Sequence, residues 1–192
     1  MPPNTSNSPN IPNILTWLRI WLIPVFIAVY YLPAGWLHPQ WVNFIATAIF
    51  AVAAVTDWLD GYLARALNQT SAFGAFLDPV ADKLMVAAAL ILLVQLGRVD
   101  AVIALIIVGR EIAISALREW MAGIGRGKSV AVSFIGKLKT TAQISAILLL
   151  LYHDRLLGII DAQVWGTWLI YIAAILTLWS MGYYLKKAFA KH

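Results

Sequence analysis

Apolar residues run through this chain in six long stretches, approximately 14–33, 41–64, 79–97, 101–122, 131–152 and 164–185. A helix needs about 20 predominantly apolar residues to cross a bilayer core, so each stretch reads as one transmembrane helix. The predicted fold class is therefore all-α integral membrane, with six transmembrane helices in a single catalytic unit over 14–187. A polar tail is expected at 1–13 and a short basic tail at 188–192. The first dozen residues, MPPNTSNSPNIP, are polar and Pro-rich and lack a basic n-region, so they read as a lead into the first span rather than a cleaved signal.

Four aspartates break this pattern where the second span ends and the third begins: Asp57 and Asp60 in TDWLDGYLAR, and Asp78 and Asp82 in FLDPVADK. An aspartate at mid-bilayer costs roughly 2.5–3.5 kcal/mol on insertion scales, so four together call for a compensating cation or a water-filled cavity. Residues three or four apart share one helix face, so each pair projects both carboxylates in one direction. Two such helices facing each other would form an all-oxygen cage, a ligand set that suits hard divalent cations such as Mg2+ or Mn2+. Both pairs lie at the ends nearest the loop 66–77, which places the site near one membrane face.

Composition agrees with a membrane enzyme. Apolar residues make up 61% of the chain and charged residues 12%, with mean hydropathy +0.79, against about half and a quarter in soluble domains. There is no cysteine, which excludes disulfide and thiolate chemistry. Twelve of the fourteen Lys and Arg fall on the side of the aspartate loop, leaving only Arg98 and Arg155 opposite. The positive-inside rule then puts both termini and the site in the cytoplasm. The net charge of +5 becomes a basic membrane rim suited to anionic headgroups and phosphorylated substrates. With no soluble domain to present a groove, nucleic acid is not an expected partner.

The neighbours of the aspartates add more than a bare metal site needs. Gly61 lies on the Asp57 face with Ala64 one turn further, giving a smooth strip on which a flat or bulky group can approach the backbone. Arg65 ends the span with a guanidinium suited to phosphate. Past the polar turn Asn68 to Ser71, Gly74 opens a second small gap before Asp78. Close helix packing is the competing reading of both glycines, and their spacing relative to the aspartates favours a substrate role over it. The three histidines show no ligand spacing and read as interfacial or solvated, and the tryptophans and tyrosines near span ends as an aromatic belt. A cation transporter would also place aspartates in the membrane, but near mid-bilayer and mirrored by an internal repeat that spans four to six lack. An intramembrane prenyltransferase would be expected to carry its aspartates on widely separated helices of a larger bundle.

Written out, the segment is Asp57-x2-Asp60-Gly61-x2-Ala64-Arg65-x8-Gly74-x3-Asp78-x3-Asp82, and it resembles the signature of the CDP-alcohol phosphotransferases. That resemblance implies six transmembrane helices, a homodimer and a bacterial inner-membrane location. It implies that Asp57, Asp60 and Asp78 hold two divalent cations, Mg2+ or Mn2+, with Asp82 touching one metal and acting as general base. It also implies that Asp60, Gly61, Arg65, Ser71 and Gly74 line the CDP-diacylglycerol site. Over nearly the whole chain, the segments NIPNILTWLRI, DPVADKLM, GREIAISALREWMAG and SVAVSFIGKLKTTAQ are similar to family members whose acceptor is glycerol 3-phosphate. Serine, inositol phosphate and phosphatidylglycerol are the rival acceptors. An acceptor with its own phosphate needs cations beyond the signature, and Arg110, Arg118, Lys137 and Lys139 are the candidates on the same face. A structural ion pair between Arg110 and Glu111 is the competing reading for the first of them.

Overall fold

The computed structural model describes residues 11–33, 35–67, 72–123, 134–156 and 158–189. Among these, the chain forms helices α1 (Ile11–Tyr30), α2 (Pro39–Leu67), α3 (Ala72–Gln95), α4 (Ala101–Gly123), α5 (Phe134–Tyr152) and α6 (Ala162–Phe189). A small antiparallel hairpin, β1 (Arg155–Leu156) and β2 (Ile160–Asp161), joins α5 to α6. Each predicted span falls on one helix, but several helices outrun the apolar stretch. α3 begins at Ala72, seven residues before the predicted span, and carries Pro79 inside it. The added residues, AFGAFLD, are apolar up to Asp78, and the helix runs on through Pro79, where the span was expected to start. α1 likewise begins at Ile11, inside the expected tail, while residues 1–10 and 190–192 lie outside the described residues.

Helix ends are set by local chemistry. α3 closes in a Schellman turn: Gly97, at φ 69°, donates to the Val94 carbonyl at 3.0 Å, and the Arg98 amide donates to that of Leu93 at 2.9 Å. Asp100 and Asp161 cap α4 and α6 by accepting from the amides of Val102 and Val164. At this end of the bundle Arg98 also reaches across to α5, donating to the carbonyls of Leu150 and Leu151 at 3.0 Å each and to Asn43 Oδ1 of α2 at 2.9 Å. A cation on the last carbonyls of a helix suits its dipole. Three helices are thereby tied together away from the aspartates.

α1 packs on α2 and α3, α6 on α5 and α4, and α2 on α5. The interior is small and apolar, built around Phe26, Phe50, Ala89, Leu93, Ile107 and Ile147. α5 and α6 approach closely at Gly166, where a Cβ would stand 2.7 Å from Leu150 Cγ. The outside is apolar as well: Leu105, Trp58, Trp179 and Ile175 are all more than 60% exposed. Conversely, Arg19 and Lys139 are almost wholly buried, at 1% and 2% exposure. Greasy outside and charged inside is the arrangement of a protein solvated by lipid, with its ionisable groups facing the bundle interior. By length and composition, the stretches Pro39–Leu59 and Ala162–Gly182 are apolar enough to cross a bilayer. α3 and α4 fall short of that test because they carry Asp78, Asp82, Lys83, Arg110, Glu111 and Arg118.

Candidate functional site

α2 is helical without a break from Pro39 to Leu67, and α3 from Ala72, so the i, i+3 relation of Asp57 to Asp60 and the i, i+4 relation of Asp78 to Asp82 hold as helix geometry. Neither pair stands alone. α1 lies against both helices and offers a cation and a hydroxyl one turn apart: Arg19 Nη1 is 2.8 Å from Asp57 Oδ1, and the Thr16 hydroxyl donates to Asp78 Oδ1. Arg19, Asp57 and Asp82 line one small cavity between α1, α2, α3 and α5, together with Phe50, Met85 and Ile144.

These are hard oxygen donors with neither histidine nor sulfur among them, so the donor set suits a divalent cation of the Mg2+ or Mn2+ type. Among the described residues, no three carboxylate, imidazole or thiol groups converge as a closed cluster. The side chain of Asp60, the fourth expected ligand, lies outside the described residues, as do those of Arg65 and Lys137 and the whole of Ser71. Asp60, Gly61 and Arg65 are placed by their backbone on the last two turns of α2, Gly74 on the first turn of α3, and Lys137 on the first turn of α5.

On its other side Asp82 faces a second cavity of about 320 Å³, lined among others by Arg110, Glu111, Arg118, Lys139 and Thr140, with Lys83 at its edge. Three of the four basic residues expected to meet an acceptor phosphate are thus brought together, from α4 and α5, around the carboxylate expected to act as base. The ion pair weighed for Arg110 is present in a modified form. Arg110 Nη1 stands 3.7 Å from Glu111 Oε1, but that same oxygen is held more closely by the Lys139 ammonium. Arg110 spends its other terminal nitrogen on α6, where Nη2 donates to Ser180 Oγ at 2.7 Å. Structural pairing and a place in the cavity wall are compatible for both residues.

Sequence reasoning named Glu111 only as a partner of Arg110 and missed Arg19, Thr16 and Ser180 as parts of this centre. Arg19 gave a signal, since a guanidinium in the middle of an apolar run marks a partnered interior position. Thr16 and Ser180 gave none, because hydroxyls are common in apolar helices and their partners lie 62 and 70 residues away.

Residues 9–179 match the model of the family described as CDP-alcohol phosphatidyltransferase. The chain is 51% identical over 181 residues to a protein of Escherichia coli strain K12 named "CDP-diacylglycerol--glycerol-3-phosphate 3-phosphatidyltransferase", covering 93% of this chain and 94% of that protein. The proteins of the same name from Shigella flexneri serotype 5b and Shigella boydii serotype 4 are similar to the same extent. A match across all six helices, with the aspartates on two adjacent helices and the cations on the next two, leaves one assignment: the chain belongs to the CDP-alcohol phosphatidyltransferase family.

Proposed function

We propose that this protein transfers the phosphatidyl group of CDP-diacylglycerol to the primary hydroxyl of sn-glycerol 3-phosphate, giving phosphatidylglycerophosphate and CMP. The observation that carries the reading is the position of Asp82, whose side chain lines both cavities: the carboxylate cavity with Asp57 on one side and the cationic cavity with Arg110, Arg118 and Lys139 on the other. A base for the acceptor hydroxyl belongs between donor and acceptor, within reach of both. The cationic cavity sets four cations, Lys83, Arg110, Arg118 and Lys139, against two carboxylates, Asp82 and Glu111. That surplus matches a phosphate monoester dianion better than serine, which brings no phosphate. The names of the relatives support the same acceptor.

The family uses divalent cations. Asp57, Asp60, Asp78 and Asp82 would hold them here, as two Mg2+ or Mn2+ ions. When bound, such ions supply neutralisation of pyrophosphate charge and of the leaving phosphate. The chain's own residues do the rest. Asp60, Gly61, Arg65, Ser71 and Gly74 hold the CDP group, the missing Cβ atoms letting the nucleotide lie close to the helix. Arg110, Arg118, Lys137 and Lys139 hold the acceptor's phosphate and so aim its free hydroxyl at Asp82. Asp82 takes the hydroxyl proton as that oxygen attacks the phosphorus bearing the diacylglycerol. The bond from that phosphorus to the CMP oxygen breaks, and CMP leaves. With one carboxylate placed to activate the acceptor hydroxyl, a single displacement is the simplest course, and it inverts configuration at phosphorus.

All six helices cross the membrane in this reading, as one unit over 14–187, with the active site and both termini at the cytoplasmic face of a bacterial inner membrane. The acyl chains of the donor lie among membrane lipids, and the enzyme is a homodimer. The test is CMP release from CDP-diacylglycerol by purified protein in detergent with Mg2+ or Mn2+, across glycerol 3-phosphate, serine, inositol phosphate and phosphatidylglycerol. Release with glycerol 3-phosphate alone is expected. Release with a different acceptor would keep the family and overturn the substrate.

A further inference from the structure

We infer that Ser180, on α6, is a positioning residue for the acceptor phosphate: it acts through Arg110, whose guanidinium it holds in the cavity wall. The inference rests on glycerol 3-phosphate binding in the cationic cavity as proposed above. Ser180 touches neither cavity, and among the described residues α6 contributes nothing to the basic cavity's lining.

The geometry is specific. Arg110 and Ser180 are both buried, at 7% and 1% exposure. The hydroxyl accepts from Arg110 Nη2 at 2.7 Å and donates its own proton to the Thr177 carbonyl at 3.0 Å. Because the proton is committed to the carbonyl, a lone pair faces the guanidinium, and the hydroxyl works as a fixed acceptor rather than a rotor. A guanidinium carries five N–H donors in one rigid plane, so holding one nitrogen fixes where the others point. With Nη2 tethered to α6 and Nη1 toward Glu111, the plane of Arg110 is set before any anion arrives. Two-pronged recognition of phosphate depends on that plane. Without that tether the guanidinium would be free to turn toward the Glu111 carboxylate, which competes with the substrate for the same donors.

The experiment compares Ser180→Ala, Ser180→Thr, Arg110→Ala and the Ser180→Ala/Arg110→Ala double variant, measuring CMP release against each substrate in turn. In Ser180→Ala, KM for glycerol 3-phosphate is expected to rise about tenfold, the scale of one hydrogen bond to a charged group, with kcat and the KM for CDP-diacylglycerol within about twofold. Ser180→Thr keeps the hydroxyl and restores the wild-type value. In the Arg110→Ala background, removing the hydroxyl adds nothing, because its effect passes through the missing guanidinium. An unchanged glycerol 3-phosphate KM in Ser180→Ala, or equal fold-losses in both backgrounds, would overturn the inference. So would a loss shared by both substrates with a lowered melting temperature, which would mark helix packing. Wild-type protein that fails to turn over glycerol 3-phosphate would instead remove the reading on which the inference stands.

Discussion

Replacing Lys139 by Met keeps the length of the side chain and removes its charge from the most buried cation of the basic cavity. Two effects follow and point the same way. The acceptor phosphate loses a charge-assisted hydrogen bond worth about 1.5–3 kcal/mol, which is roughly 10- to 150-fold in kcat/KM. Glu111 also loses its close partner and is left with Arg110, at 3.7 Å, as its ion-pair partner among the described residues. Its carboxylate then repels the incoming dianion and draws Arg110 away from it. The loss should therefore fall at or beyond the upper end of that range and sit in the KM for glycerol 3-phosphate, with the KM for CDP-diacylglycerol little changed. Adding Glu111→Gln to Lys139→Met removes the stranded charge and should recover part of the loss, although Glu111→Gln alone lowers activity. CMP release at saturating CDP-diacylglycerol, with glycerol 3-phosphate varied, measures all three variants. A KM for glycerol 3-phosphate within twofold of wild type in Lys139→Met would refute the assignment of the cavity. A double variant no better than the single would refute the role given to Glu111.

Three other outcomes are expected. Asp82→Asn should lower kcat by about 10²–10⁴, the usual scale of general-base catalysis, while binding of a CDP-containing ligand persists in equilibrium measurements; near wild-type turnover would take the base role from it. Arg98→Met breaks three hydrogen bonds from one half-buried cation to α2 and α5 and should cost about 1.5–3 kcal/mol, seen as a lower melting temperature in detergent. Its KM for glycerol 3-phosphate should not change, since α3 carries Asp82 about 20 Å from that end at 1.5 Å per residue. Finally, burial and then the nearby Arg98 push the His153 imidazole below its ordinary pKa. The unfolded chain therefore binds this proton more readily, so the contribution of His153 to stability is whole above about pH 6.5 and declines as pH falls below it. Melting temperature should drop less between pH 8 and 5 in His153→Asn, a residue that tolerates the positive φ of 63° at this position; parallel curves would contradict the shift.

Apart from the exact helix ends, what depends on one helix at a time was legible in the amino-acid order. Apolar stretches located six helices, and the spacing of Asp57 with Asp60 and of Asp78 with Asp82 placed each pair on one face, because 3.6 residues per turn is a local property. The basic candidates Arg110, Arg118 and Lys139 were legible too, since charges in apolar helices have few places to go and side-counting put them on one rim. Tertiary packing decided what those groups do to one another. Only the docking of α1 brings Arg19 to Asp57 and Thr16 to Asp78. Only the meeting of α4, α5 and α6 turns the neighbours Arg110 and Glu111 into a chain that runs through Lys139 on one side and ends at Ser180 on the other. The position of Asp82 in the walls of two cavities likewise depends on five helices at once. Hydrogen bonds and ion pairs act over about 3–4 Å, and contacts that short between residues far apart in the chain come from the three-dimensional fit of helices, which no periodicity in the chain encodes.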